Sequence, residues 1–274
     1  MDDIFTNEIH GVIDPPHETE FPIVGTKVTS NKDIQFISKW TELFERYSSA
    51  RMFLRKTQEK DWSYWFNPID DQALQKVMED KFKADIYETA LINYNIIVDL
   101  SWALTYISSE YIRYELDDDG KTKEVINTDN MQSIEVAYGL IREMEKDVVT
   151  PNTEGNPYEY LKKMSSEFSE AITLMMDFWK KFAGSDIRNL YNYIKHRGKP
   201  FYEEIENFSG GKPMKIFSGG KEYSSSIRDV KKIVSLEKGI NRLIEFDNNE
   251  LFPYIERLLV VLKKGVDPSP MAFM

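Results

Sequence analysis

The sequence has no cysteine and only three histidines. Without thiols, neither a disulfide framework nor a thiolate metal site can form. His10 and His17 stand far along the chain from His196, so no transition-metal cluster and no cofactor is expected. No apolar run approaches the roughly 20 residues that cross a bilayer. The first ten residues, MDDIFTNEIH, are acidic where a secretory signal would be basic. Together these point to a soluble, cytoplasmic chain with no membrane partner. Neither G-x-x-x-x-G-K-[ST] nor G-x-G-x-x-G occurs, so the glycines read as turn residues and not as a phosphate loop.

The 274 residues, 41% hydrophobic and 30% charged, suffice for one sizeable core. A Pro-containing leader is expected over residues 1–31 and a single helical-bundle domain over 32–274. Helical spacing of Ile34, Ile37, Trp40, Leu43, Phe44 and Tyr47 predicts a first helix from Asn31 or Asp33 to about Lys56. Pro68 stops any helix before it, and Asp70 or Asp71 can cap the next. Trp62, Trp65 and Phe66 beside this break read as packing over a core edge, ahead of a platform for bases. From Asp70 to Tyr114 neither Pro nor Gly intervenes, which predicts one long helix or two joined at a kink. Within it, Asn95 and Asp99 need polar partners if buried. Glu115–Thr128, with three successive aspartates before Gly120, reads as a solvated turn, since it lacks the ligand alternation of a calcium loop. Helices are expected over about 130–148 and 158–182, and a last long one from Asp229 to Lys264. Lys215–Phe217 and Lys221–Tyr223, flanking Ser218, Gly219 and Gly220, predict a β-hairpin within 210–226. The fold class is therefore all-α: a bundle of five or six helices with a small β-hairpin insertion.

The net charge is −11, which opposes phosphate binding unless cations are gathered locally. They are gathered twice. Lys180–Pro200 carries six Lys or Arg against the single acid Asp186, and Gly210–Arg242 carries eight against three. Charge compensation on solvated faces explains either run taken alone. The first contains the segment with the most distinctive chemistry, GSDIRNLYNYIKHRGKP, residues 184–200. Ser185 can cap its helix and Gly198 with Pro200 can end it. Ile187, Leu190, Tyr191 and Ile194 share one face and should be buried, while Arg188, Asn192 and His196, each four apart, form a second stripe with Lys195 beside it.

At Arg188-Asn189 and Asn192-Tyr193-Ile194-Lys195-His196 the sequence resembles the HEPN superfamily, helical-bundle proteins frequent in prokaryotic defence and toxin–antitoxin systems. Many members are metal-independent ribonucleases. The resemblance implies His196, Arg188 and Asn192 as catalytic residues, with Lys195, Arg197 and Lys199 contacting RNA phosphates. In the family four to six residues separate the arginine from the histidine; here seven do, which sets them about 12 Å apart along an α-helix. Gripping one phosphate then requires a bent helix or a second protomer, and a homodimer with the two 184–200 helices in contact is expected. Two readings follow: a HEPN-like ribonuclease or RNA-binding relative, and a non-enzymatic helical protein whose polar stripe docks a protein partner such as an antitoxin.

Overall fold

The computed structural model describes residues 31–62, 69–108, 113–116, 122–126, 169–205, 214–225 and 231–263. The leader over 1–30, the helix expected over 130–148, the start of the one expected at 158, and the aspartates 117–119 lie outside them.

Six α-helices and three two-stranded sheets make up these residues, so the protein is a helical bundle carrying a small β-hairpin. In chain order they are α1 (Asn31–Lys56), α2 (Gln72–Ser108), β1 (Arg113–Leu116), β2 (Thr122–Ile126), α3 (Ser169–Phe182), α4 (Asp186–Arg197), β3 (Phe201–Tyr202), β4 (Met214–Ser218), β5 (Lys221–Ser225), β6 (Ile233–Val234), α5 (Leu236–Phe246) and α6 (Phe252–Lys263). A π-helical turn, Asp247–Leu251, joins the last two.

Local chemistry sets most boundaries. Asp71 starts α2 by accepting the N–H groups of Ala73 and Leu74 at 2.9 and 3.1 Å. With no Pro or Gly inside it, α2 runs unbroken for 37 residues, about 55 Å. It ends at Ser108, and Tyr114, expected to close this helix, lies in β1. β1 and β2 pair antiparallel, with a bulge between Arg113 and Tyr114. β4 and β5 form the hairpin expected within 210–226, turning through Gly219 and Gly220 at φ 57 and 72. Left-handed backbone at both positions is what a two-residue hairpin turn demands.

The final helix departs from the sequence expectation at its start and in its middle. It does not begin at Asp229: Ile233–Val234 pairs in parallel with Phe201–Tyr202, and Ser235 then caps α5. Nor is it continuous. Pro253 lacks the N–H that an uninterrupted helix would need, and the ladder widens into the π turn just before it.

The described chain divides into two compact units. One comprises the described residues within Ser49–Tyr94 and Gly184–Asn249. Its core holds Leu54, Tyr87, Leu91, Tyr94, Leu190, Tyr202, Leu243 and Phe246. A buried ion pair ties α1 to the π turn, Arg51 Nε donating to Asp247 Oδ2 at 3.0 Å. The other takes in the described residues within Val12–Ser48, Asn95–Ala183 and Glu250–Met274. There α3 packs on α6, with Phe178 stacked on Tyr254 at 4.0 Å and the Tyr254 hydroxyl 2.9 Å from Ser101 Oγ. Among the described residues no helix is long and apolar enough to cross a membrane.

Candidate nucleic-acid interface

α4 is bounded by its caps. Ser185 Oγ accepts the Arg188 N–H at 3.2 Å, and the Gly198 N–H donates to the Ile194 carbonyl at 3.2 Å. Gly198 has φ 87 and open space where a Cβ would stand, so the backbone angle and not crowding calls for glycine. Ile187 and Leu190 are buried, whereas Tyr191 and Ile194, expected beside them, are only half-buried. Tyr191 is drawn outward into a cationic setting: the Arg188 guanidinium lies 5.1 Å from its ring centre and Lys195 Nζ 6.0 Å.

His196 is exposed in the last turn of α4, between Lys195 and Arg197, both also exposed. Arg188 and Asn192 are half-buried. Because α4 is unbroken, Arg188 and His196 remain about 12 Å apart along its axis. At about 100° per residue their directions differ by roughly 80°, while Arg188 and Lys195 agree within roughly 20°. One protomer therefore places Arg188 with Lys195 around Tyr191, and His196 with Arg197 at the helix end. Lys199 is committed elsewhere: it pairs with Asp85 and lies 3.8 Å from Glu88, both on α2.

The parallel β3–β6 pair brings the two basic runs together. Lys232 is held at both ends of its peptide, its N–H donating to Tyr193 Oη at 3.1 Å and its carbonyl accepting the Phe201 N–H at 2.8 Å. Its ammonium lies 5.9 Å from the centre of the Tyr193 ring, and that of Lys231 lies 5.3 Å from the centre of Phe201. Both lysines are exposed and both rings half-buried. Within the two runs Lys180 pairs with Asp177, Lys199 with Asp85 and Lys215 with Glu222. Lys195, Arg197, Lys231 and Lys232 form no ion pair among the described residues. Phe201, Lys231 and Lys232 are not singled out by the sequence, and Tyr193 enters only as a residue of the quoted segment; the second basic run is the only signal of the two lysines.

Carboxylates on the inner side hold this surface in place. The Tyr202 hydroxyl donates to Glu88 Oε1 at 2.8 Å. Burial pushes the Glu88 carboxyl above its ordinary range, against the Tyr202 hydrogen bond and the Lys199 charge, with Asp85 adding to the rise. Burial and the Glu88 charge push the Tyr202 hydroxyl up in turn. Glu204 joins β3 to α5: its carboxylate accepts the N–H groups of Leu236 and Glu237 at 2.9 and 3.2 Å and the Ser235 hydroxyl at 3.0 Å. Burial acts to raise its carboxyl, but these bonds and its own backbone N–H outweigh that and hold it below the usual range.

The other sequence candidates carry less. Trp62 is buried edge-on against Phe82, ring centres 5.6 Å apart, and its indole N–H donates to the Glu59 carbonyl at 3.0 Å. It packs, as read from the sequence; Trp65 and Phe66 lie outside the described residues, as do His10 and His17. Asn95 is buried and Asp99 half-buried on α2, both engaged by neighbours. Among the described residues no group of three or more acidic or histidine side chains is arranged to hold a metal ion. Comparison of the chain with family models, with curated proteins and with solved structures finds no match.

Proposed function

We propose that the chain is a HEPN-like RNA-binding protein whose contact surface is formed by α4 and the residues leading into β6, with His196 as its proton-transfer group. The observation that carries this reading is that Lys231 and Lys232 stand over the half-buried rings of Phe201 and Tyr193, with Arg197 exposed on the Tyr193 side of α4, in a chain whose net charge is −11. Cations without carboxylate partners among the described residues suit a phosphate backbone, which supplies the opposite charge. Base-tolerant binding of single strands uses this same interleaving of basic and aromatic side chains.

The His196 imidazole can accept the proton of a ribose 2′-hydroxyl as that oxygen attacks the adjacent phosphorus and displaces the 5′-oxygen, and can return a proton to the leaving oxygen. Arginine or lysine stabilises the charge that develops on the phosphoryl oxygens. The span of about 12 Å between Arg188 and His196 keeps these two from sharing one phosphate within a single chain, so the arginine of a second protomer would complete the site, which favours a dimer assembled around the RNA.

Incubation of the full chain with RNA in EDTA tests the reading. Cleavage that survives EDTA and is abolished in His196→Ala, with binding retained, is the expected result. Lys231→Glu with Lys232→Glu should weaken binding and reduce the slope of log affinity against log salt by roughly 0.7–0.9 for each phosphate no longer neutralised. Light scattering should find a dimer in the presence of RNA, weakened by Lys195→Glu or Arg197→Glu. Binding without cleavage in the wild type would remove the enzymatic role and keep the RNA-binding one. No RNA binding at low salt would sink the reading and leave the surface to a protein partner.

A further inference from the structure

The lysines over Phe201 and Tyr193 mark which ring faces are open. An exposed ammonium can stand above a half-buried ring only on the side that faces solvent. Lys231 Nζ sits 5.3 Å from the centre of Phe201 and Lys232 Nζ 5.9 Å from the centre of Tyr193. Each ring therefore has one outward face, on which, among the described residues, a flexible and solvated lysine side chain stands. A cation–π contact at such an exposed site is weak. A phosphate offers the same ammonium a full opposite charge.

The rings themselves do not share that freedom. The backbone of Lys232 bonds both to the Tyr193 hydroxyl and to the Phe201 N–H, at 3.1 and 2.8 Å, so both platform residues are tied to one residue of the chain. Behind Phe201, Tyr202 is buried and bonded to Glu88. Movable covers over two anchored aromatic faces form an arrangement that an unpaired base can use. The lysine swings to the neighbouring phosphate and the base takes the vacated face.

We infer that Phe201 and Tyr193 are stacking platforms for unpaired bases, lidded in the free protein by Lys231 and Lys232, which transfer to the flanking phosphates when a strand binds. This rests on the RNA reading of the same surface and adds to it a requirement for the bases themselves. Bases inside an A-form duplex are stacked on one another and have no face to give.

Equilibrium binding of the intact wild-type chain to three labelled probes of equal length, at one salt concentration, tests this: a single-stranded RNA, an abasic ribose-phosphate strand and a blunt RNA duplex. The base-bearing single strand should bind on the order of tenfold more tightly than the abasic strand, and more tightly than the duplex. Phe201→Leu keeps an apolar side chain but removes the ring; it should forfeit most of that advantage and leave abasic binding unchanged. Lys231→Glu with Lys232→Glu should weaken all three. Equal affinity for base-bearing and abasic strands overturns the platforms while leaving phosphate binding intact, and absence of binding to every probe overturns the RNA reading as well. Should Phe201→Leu fail to fold, the wild-type comparison alone decides.

Discussion

Gly239 shows how a single missing atom shapes the unit that carries the interface. A Cβ there would stand 2.7 Å from the Tyr87 hydroxyl oxygen and 3.0 Å from Cζ. Tyr87 has little room to yield, being buried and set edge-on to Tyr202 with ring centres 6.4 Å apart. Glycine inside a helix ordinarily costs about 1 kcal/mol relative to alanine. Here the close approach of α5 to Tyr87 reverses that expectation. Gly239→Ala should lower stability by about 1–3 kcal/mol, the usual cost of overpacking, seen as a lower denaturation midpoint in urea. Adding Tyr87→Phe removes the nearest atom and should restore part of the stability, a coupling that two independent sites would not show. A Gly239→Ala protein at least as stable as wild type would mean that the approach is slack.

At the scale of elements, two glutamates that tether β3 respond to pH in opposite senses. The folded pKa of Glu204 lies below its unfolded value, so its contribution is present above the ordinary carboxylate range and is lost as pH falls through the folded value. The folded pKa of Glu88 lies above its unfolded value, so its contribution is present at low pH and is lost as pH rises through the raised value. Melting temperature followed from about pH 3 to neutrality should reveal both, the ordinary carboxylate range being near pH 4. Glu204→Gln should flatten the acid limb, and Glu88→Gln should remove the opposing decline above the ordinary range. Curves that merely run parallel to wild type would sink both assignments. The ends of α4 were legible in the sequence because caps are local chemistry: Ser185 and Gly198 act on residues within one turn of themselves. β6 was not, since two residues carry no periodicity and Asp229 resembles a helix start; its partner strand is set by pairing with a distant part of the chain. For the same reason Lys199 read as a phosphate ligand, its partner Asp85 lying 114 residues earlier. The second basic run was visible, but which lysine meets which ring depends on that pairing.

For the whole molecule, the cations and rings of the interface fall within one of the two compact units, that of Ser49–Tyr94 and Gly184–Asn249. An acidic chain thus gathers a local group of cations there, and at physiological salt the screening length of about 8 Å lets that group act over its own range. The interface is also a closed loop. Phe201 pairs with Ile233, Tyr202 with Val234, and the Glu204 carboxylate binds the start of α5, so these contacts together seal the excursion that separates the strands. Loop-closure entropy opposes that seal, and its opening would part Lys231 and Lys232 from their rings while α4 stayed helical. On the proposed RNA-binding reading, RNA affinity includes the closed fraction of the loop, and bound RNA favours closure by the same factor. Hydrogen exchange at the Phe201 amide, which donates to the Lys232 carbonyl, reads this equilibrium directly. It should slow on addition of RNA by a larger factor than the amides within α4, and exchange unchanged by saturating RNA would uncouple closure from binding. Sequence changes anywhere along the excursion, even at positions that never touch RNA, then tune affinity through the entropy of a loop.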